Sequence, residues 1–90
     1  MELNSCHALV TGGASGLGAA TVATVLKNGG KTTILDLDEQ RGSETAKTLG
    51  GAARFRLADV SDEDDIAEAI AEAVESFGPI SLVVNCAGIG

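Results

Sequence analysis

The sequence has few aromatic residues, little positive charge and no long apolar run. It contains two phenylalanines and no tyrosine or tryptophan, so its core must be built from Val, Ile, Leu and Ala. Six Lys and Arg against thirteen Asp and Glu give a net charge of −7. This charge argues against nucleic-acid binding, which usually needs a basic patch. No apolar run reaches the roughly 18–20 residues that cross a bilayer, so we expect no membrane partner.

Residues suited to metal binding or disulfide formation are also scarce. The two cysteines, Cys6 and Cys86, form no CxxC motif or Cys/His cluster, so the sequence predicts no metal site. The first residues lack the basic and apolar regions of a secretory signal, which favours reduced cysteines and a cytoplasmic location. The single histidine, His7, stands at the start of an apolar run, and we expect it to pack within the protein.

Short apolar runs alternate with helical periodicity over all 90 residues. The pattern predicts strands at 6–11, 31–36, 53–57 and 80–85, and helices at 16–28 and 39–49, with Asp38 as N-cap of the second helix. A third helix is predicted to start at Ser61 and to stop at Gly78-Pro79. Its apolar residues recur at steps of three and four and predict one buried face: Ile66, Ala69, Ile70, Ala73, Val74 and Phe77. Three glutamates, Glu68, Glu72 and Glu75, are expected to face solvent.

The element order βαβαβαβ is typical of a parallel sheet with right-handed crossovers. It predicts an α/β fold in which residues 1–90 form one domain.

A glycine-rich turn lies between the first strand and the first helix. Residues 11–18 read Thr-Gly-Gly-Ala-Ser-Gly-Leu-Gly, with glycines at Gly12, Gly16 and Gly18. Such a turn places backbone N–H groups beside the positive end of a helix dipole, which suits a pyrophosphate. Ser15 and Leu17 would add backbone or hydroxyl hydrogen bonds. The structural alternative is that the glycines only permit a tight turn.

An acidic residue ends the second strand at the distance expected of a dinucleotide site. The Asp36 carboxylate can accept hydrogen bonds from both hydroxyls of an adenosine ribose, but it would repel a 2′-phosphate. Gly13 and Leu37, where a phosphate-binding cation would be expected, are neutral, and Arg41 should lie inside the second helix. The sequence therefore favours NAD over NADP. The alternative, a helix-capping role for Asp36, can be filled by Asp38.

Two further segments follow strands three and four at the same edge of the predicted sheet. Asp59-Val60 could contact an adenine, Asp59 by accepting from its amino group, or could simply form the turn before Ser61. Residues 85–88 read Asn-Cys-Ala-Gly, and Gly88 would let the backbone approach a ribose. That segment could equally be a strand-ending turn, and spacing alone leaves both pairs of alternatives open.

Taken together, these motifs resemble the short-chain dehydrogenase/reductase family over essentially all 90 residues. The loop at 11–18 matches the family's Thr-Gly-x-x-x-Gly-x-Gly element and Asp59-Val60 its adenine-contacting pair. Residues 85–88 resemble its Asn-Asn-Ala-Gly element, with Cys86 replacing the second Asn. The details are most similar to members that act on 3-hydroxyacyl-CoA or hydroxysteroids. The resemblance implies NAD contacts by these residues: Gly12, Ser15, Gly16, Leu17, Gly18, Asp36, Leu37, Asp59, Val60, Asn85, Cys86 (mainly through its backbone), Ala87 and Gly88.

The family's catalysis uses a Tyr-x-x-x-Lys pair and a Ser, and this chain has no tyrosine. No catalytic residue is therefore assigned, and the 90-residue chain alone is expected to be inactive. The resemblance implies that residues 1–90 form one NAD-binding domain, the first part of a Rossmann-type doubly wound sheet with strand order 3-2-1-4. The fourth strand would lack its outer neighbour, so we expect the isolated chain to be marginally stable or to self-associate through that edge. The resemblance also implies a longer parent oxidoreductase, a homo-oligomer and by likeness a tetramer, that moves a hydride between NAD and a secondary alcohol or ketone. Two alternatives are a non-catalytic NAD-sensing module and an S-adenosylmethionine-binding domain.

Overall fold

The computed structural model describes residues 6–12, 16–59 and 61–85. Strands and helices alternate in this order: β1 (His7–Thr11), α1 (Gly16–Lys27), β2 (Lys31–Asp36), α2 (Glu39–Leu49), β3 (Ala53–Leu57), α3 (Glu63–Phe77) and β4 (Leu82–Asn85). The four strands form one parallel sheet in the order β3-β2-β1-β4. The predicted fold class and strand order are confirmed.

Apolar side chains cover both faces of the sheet. Ala8 and Val10 of β1 point to the face covered by α1 and α2, where they join Val22, Val25 and Ile34. On the other face, the core beneath α3 is made of Leu9, Leu35, Ala58, Ala69 and Ala73. Successive strand residues point to opposite faces, so a strand buried on both sides must be apolar at nearly every position. This explains the short continuous apolar runs in the sequence.

Helix α2 packs against β3 around a glycine. A Cβ atom added to Gly42 would lie only 2.2 Å from Cε1 of Phe55. No side chain larger than hydrogen fits there unless the ring moves. Gly42 therefore lets one of the two phenylalanines pack directly on the helix backbone.

The observed element ends differ from the predicted ones by one residue at β1 and α1 and by two residues at α3 and β4. Helix α3 begins two residues later than predicted, because Asp62 is the N-cap and accepts from the backbone N–H groups of Asp64 and Asp65. Strand β4 begins at Leu82 and not at residue 80. Just before it, the Ser81 hydroxyl accepts from the backbone N–H of His7 and the Ser81 N–H donates to the His7 carbonyl.

The buried face of α3 is narrower than predicted. Ala69 and Ala73 are buried, but Ile70 and Val74 are 37% and 41% exposed. On the opposite side of the helix, Glu68, Glu72 and Glu75 are exposed as predicted, and the first two also pair with Arg56 of β3, Glu72 at 3.0 Å. The predicted burial of Ile70 and Val74 was wrong, because these two residues lie on the flank of the helix, beyond the side that Ala69 and Ala73 bury.

His7 is buried between β1, β2 and the loop after α3. The side chain is 3% exposed, Nδ1 lies 2.8 Å from the carbonyl oxygen of Gly78, and Nε2 lies 2.9 Å from the Thr33 hydroxyl. The ring also makes an edge-to-face contact with Phe77, with 5.5 Å between centroids. The predicted packing role is confirmed. Within the described ranges, no three His, Cys, Asp or Glu side chains come together as metal ligands, and no helix could span a membrane.

Both edge strands of the described sheet are open, but they differ in charge. Strand β3 carries Arg54 and Arg56, whereas β4 has the uncharged sequence Leu-Val-Val-Asn, with Val83 64% exposed. Charged side chains discourage pairing with another chain, and an uncharged apolar edge invites it. Strand β4 is therefore the edge expected to mediate association.

We predict that the isolated chain self-associates through β4 and that Val83→Lys shifts it toward monomer. Sedimentation velocity over a concentration series measures the effect. Ala23→Lys adds the same charge on the exposed side of α1 and is the matched control, expected to leave association unchanged. Equal monomer fractions for wild type and Val83→Lys at every concentration would contradict the prediction.

Candidate functional site

The predicted site residues within the described ranges lie at one edge of the sheet. Because all four strands are parallel, their carboxyl ends meet there, at Thr11, Asp36, Leu57 and Asn85. The chain runs outward from β1 through β2 to β3 and then returns to place β4 on the other side of β1, so the strand order reverses between β1 and β4. In open α/β sheets, ligands bind in the crevice at such a switch point.

The segment between β1 and α1 is described at its two ends, Gly12 and the start of α1. Gly12 has a φ of +72°, a region that favours glycine, and its N–H donates to the Leu35 carbonyl at 2.7 Å. Helix α1 starts at Gly16, and its first turn contains no acidic residue, whereas the first turns of α2 and α3 contain acids. Gly18, also in the first turn, is buried. The N-terminus of α1 therefore suits a negatively charged ligand. Ser15 and the side chain of Leu17 lie outside the described part of the chain.

Asp36 lies half-buried at the end of β2. Its Oδ1 accepts from the backbone N–H of Asp38 at 3.0 Å. Asp38 is the N-cap of α2 and accepts from the Arg41 N–H at 2.9 Å, so the capping role belongs to Asp38. A carboxylate can accept about four hydrogen bonds, so the bond from Asp38 is compatible with donors from a ribose. Leu37, the next residue, is 66% exposed.

Asp59 lies beside the end of β2. The N–H of Ala58, the preceding residue, donates to the Asp36 carbonyl at 3.1 Å. Asp59 Oδ1 accepts from the Ser61 backbone N–H at 2.9 Å and from its hydroxyl at 2.6 Å. These bonds, the hydroxyl first, hold the pKa of Asp59 below its ordinary value. Asp59 thus forms the turn and stays ionised at neutral pH, when it can only accept hydrogen bonds. Val60 lies outside the described residues.

Asn85 ends β4 on the other side of the crevice and is exposed. The Thr11 hydroxyl donates to its Oδ1 at 2.7 Å, which joins the ends of β1 and β4. The Asn85 amide keeps its NH₂ group as a donor. Cys86, Ala87 and Gly88 lie outside the described part of the chain, so their predicted cofactor contacts stay predictions.

Sequence reasoning missed three residues that organise this edge. They are Thr11, which holds Asn85, and the pair Arg56 and Asp65, which holds the backbone of Asp59. The only local signal was the acidic first turn of α3. The partners lie 74, 9 and 6 residues apart in sequence, and no helical or strand periodicity links them.

Comparison with known proteins shows the family of this chain. The sequence model of the short chain dehydrogenase family matches residues 6–90. The chain belongs to the short-chain dehydrogenase family. It is 46% identical over 86 residues to 3-hydroxyacyl-CoA dehydrogenase type-2 of Drosophila melanogaster, covering 96% of this chain and 34% of that protein. The Homo sapiens protein of the same name is 45% identical over 82 residues, covering 91% and 31%.

Another relative and two solved structures share this part of the fold. Tropinone reductase-like 1 of Erythroxylum coca is 40% identical over 82 residues, covering 91% of this chain and 30% of that protein. A family oxidoreductase from Aeromonas hydrophila superposes with a TM-score of 0.89 at 35% identity, covering 94% and 40%. A 3-ketoacyl-(acyl-carrier-protein) reductase from Brucella melitensis, solved with NADH, has a TM-score of 0.87 at 33% identity, covering 90% and 34%. The chain spans about a third of the length of the curated relatives it matches.

Proposed function

We propose that this chain is the NAD-binding portion of an oxidoreductase that moves a hydride between NAD and a secondary alcohol or ketone. The observation that carries the proposal is Asp36 at the end of β2, beside the glycine turn that opens α1. The relatives named 3-hydroxyacyl-CoA dehydrogenase type-2 support 3-hydroxyacyl-CoA as the substrate class, with hydroxysteroids as an alternative. The full-length protein is proposed to be a homo-oligomer, by likeness a tetramer.

The charges around Asp36 support NAD over NADP. Arg41 is the first cation after Asp36 in sequence, and it lies in α2, where its Nε is 3.7 Å from Oδ2 of Asp38. A 2′-phosphate carries about −1.5 to −2 charges and would lie against the Asp36 carboxylate. Because the Arg41 guanidinium is paired with Asp38, it is not available to offset this repulsion. The ribose hydroxyls of NAD, in contrast, are donors that this carboxylate can accept.

The described residues have separate tasks in cofactor binding. The Gly12 turn and the start of α1 would hold the pyrophosphate, Asp36 the adenosine ribose and Asp59 the adenine amino group. Leu37 would cover the adenine with apolar surface. When bound there, the cofactor would supply the nicotinamide ring as hydride acceptor or donor. Proton transfer would come from residues outside this chain, because the family's tyrosine has no counterpart here.

We predict that the 90-residue chain binds NAD but does not oxidise alcohols. Calorimetric titration with NAD, NADP and S-adenosylmethionine measures binding, and absorbance at 340 nm with a 3-hydroxyacyl-CoA substrate measures turnover. NAD binding without turnover is the expected result. A folded chain, judged by circular dichroism, that fails to bind NAD would contradict the proposal, and competition by S-adenosylmethionine would favour the methyl-donor site. NAD-dependent oxidation would contradict the predicted inactivity.

The length of the natural chain distinguishes the NAD-sensing alternative from the enzyme. Intact mass spectrometry of the protein from its native source distinguishes them. A mass near 9.0 kDa would favour the sensing module, and a larger mass would place the proton-transfer residues after Gly90.

A further inference from the structure

One carboxylate of α3 contacts two different parts of the β3–α3 connection. Oδ2 of Asp65 accepts from the backbone N–H of Asp59 at 2.8 Å. Oδ1 of the same side chain forms an ion pair with Nη1 of Arg56. Asp65 lies in the first turn of α3 and its side chain is 28% exposed. The carboxylate therefore links a residue of β3, a residue of the turn and the start of the helix.

Arg56 is itself held in place. Its side chain is 18% exposed, and Nη2 lies 3.0 Å from Oε2 of Glu72 and 3.5 Å from Oε2 of Glu68. The hydrogen bond from Arg56, first, and the one from the Asp59 N–H hold the pKa of Asp65 below its ordinary value. Asp65 is thus ionised at neutral pH, and it accepts from Asp59 with full negative charge, which makes the bond stronger than a neutral one.

Asp59 is fixed at both its backbone and its side chain. It lies two residues beyond the end of β3, so no ladder hydrogen bond within the described sheet holds its N–H, which donates to Asp65 instead. Its side chain accepts from Ser61. A hydrogen bond weakens steeply when its length or angle changes, so a carboxylate on a loosely held turn would be a poor acceptor for a bound ligand.

We propose that Asp65, oriented by Arg56, is the positioning residue that aims the Asp59 carboxylate at the amino group of the bound adenine. The inference rests on the proposed NAD-binding function and deepens it. Asp65 would not touch the cofactor. It would act through Asp59, and its effect should be confined to the part of the cofactor that Asp59 contacts.

Two opposing effects act on the charge of Asp59. The hydrogen bonds from Ser61 lower the pKa of Asp59, and the nearby negative charge of Asp65 raises it by less. Asp65 can therefore hold the Asp59 backbone while Asp59 keeps the negative charge that would accept from the adenine amino group.

The test compares two cofactors that differ only at one edge of the purine ring. Nicotinamide hypoxanthine dinucleotide has a carbonyl oxygen where NAD has the adenine amino group, and a hydrogen on the neighbouring N1, so it lacks the amino donor from which Asp59 would accept. The variants of Asp65 then separate the contribution of Asp59 from that of N1. A hydrogen bond to a charged acceptor contributes about 1.5–3 kcal/mol, which corresponds to roughly tenfold or more in Kd. Wild type is expected to bind NAD tighter than the analogue by about that factor.

Asp65→Ala is expected to reduce this preference to within about twofold, mainly by weakening NAD. Asp64→Ala removes the same charge from the same helical turn, where the carboxylate makes no hydrogen bond or ion pair with the described residues. It is the matched control and should keep the wild-type preference. The isosteric Asp65→Asn can satisfy Arg56 or the Asp59 N–H but not both, so it should lower the preference by about threefold or more even if Asp65→Ala does not fold.

The possible results distinguish failure of this inference from failure of the proposed function. A wild-type chain that is folded but binds neither cofactor contradicts the proposed function itself. Wild-type binding with equal affinity for NAD and the analogue overturns the inference, because Asp59 then does not read the amino group. A preference retained in Asp65→Ala or undiminished in Asp65→Asn also overturns it, and leaves NAD binding in place.

Discussion

Replacing His7 with alanine is expected to lower the free energy of unfolding by about 3–5 kcal/mol, a large part of the roughly 5–15 kcal/mol that stabilises a typical domain. The Gly78 carbonyl can only accept, so Nδ1 carries the hydrogen in the neutral imidazole, and Nε2 accepts from the Thr33 hydroxyl. Truncation would leave both partners without these bonds. It would also open a cavity against Phe77, which the ring contacts edge-on.

Urea unfolding followed by circular dichroism measures this loss. Lys31→Ala is the control at the same end of the sheet, because Lys31 is exposed and contacts Phe77 only through its ammonium, 5.4 Å from the ring centroid. Exposed cation–π contacts contribute about 0.5–1 kcal/mol, so the control should lose far less than His7→Ala. A His7→Ala chain within about 1 kcal/mol of wild type would show that the two hydrogen bonds are not needed.

Asp36→Asn is expected to remove most of the discrimination between NAD and NADP. Like charges placed together in a binding site cost several kilocalories per mole, so wild type should bind NAD about 100-fold tighter than NADP or better. Asparagine keeps an acceptor for the Asp38 N–H, which Asp36 now holds, but it carries no charge to repel the 2′-phosphate. The preference should fall below about tenfold, chiefly because NADP binds better.

The control for this change is Glu39→Gln. It removes an exposed carboxylate three residues away and leaves the pair between Asp38 and Arg41 in place. Calorimetric titration with both cofactors at constant ionic strength gives the Kd ratio of each variant. Equal affinity of wild type for NAD and NADP, or an equal shift in Glu39→Gln, would mean that the charge of Asp36 does not select the cofactor.

Local signals in the sequence predicted the elements well and their ends less well. Helix α2 starts after Asp38 and stops at Gly50, as a side-chain cap and a glycine of positive φ dictate. The start of α3 was misplaced because Ser61 and Asp62 are both good capping residues, and only the bonds from Ser61 to Asp59 decide between them. To choose between two adjacent capping residues, one must know which of them already forms a hydrogen bond with a neighbouring residue.

The candidate site was predictable only as far as strand ends are. Parallel strands place their carboxyl ends at one edge, so the positions of Gly12, Asp36, Asp59 and Asn85 near that edge follow from the βαβ order. Their cofactor contacts stay predictions. Two hydrogen bonds could not be predicted from residue spacing: the one from Thr11 to Asn85 and the one from the Asp59 N–H to Asp65. Their partners become neighbours only when the sheet and α3 have packed together.

The sequence by itself determined the alternation of strands and helices, through apolar periodicity and glycine stops, and its motifs indicated the family, which in turn implied the strand order. Only the tertiary structure decided which charged residues face each other. Arg56 of β3 pairs with Asp65, Glu68 and Glu72 of α3, and on the other flank of the helix Ile70 and Val74 stay partly exposed. Such pairs join side chains that become neighbours only when the helix packs on the sheet, so the apolar stripe of the helix alone did not predict them.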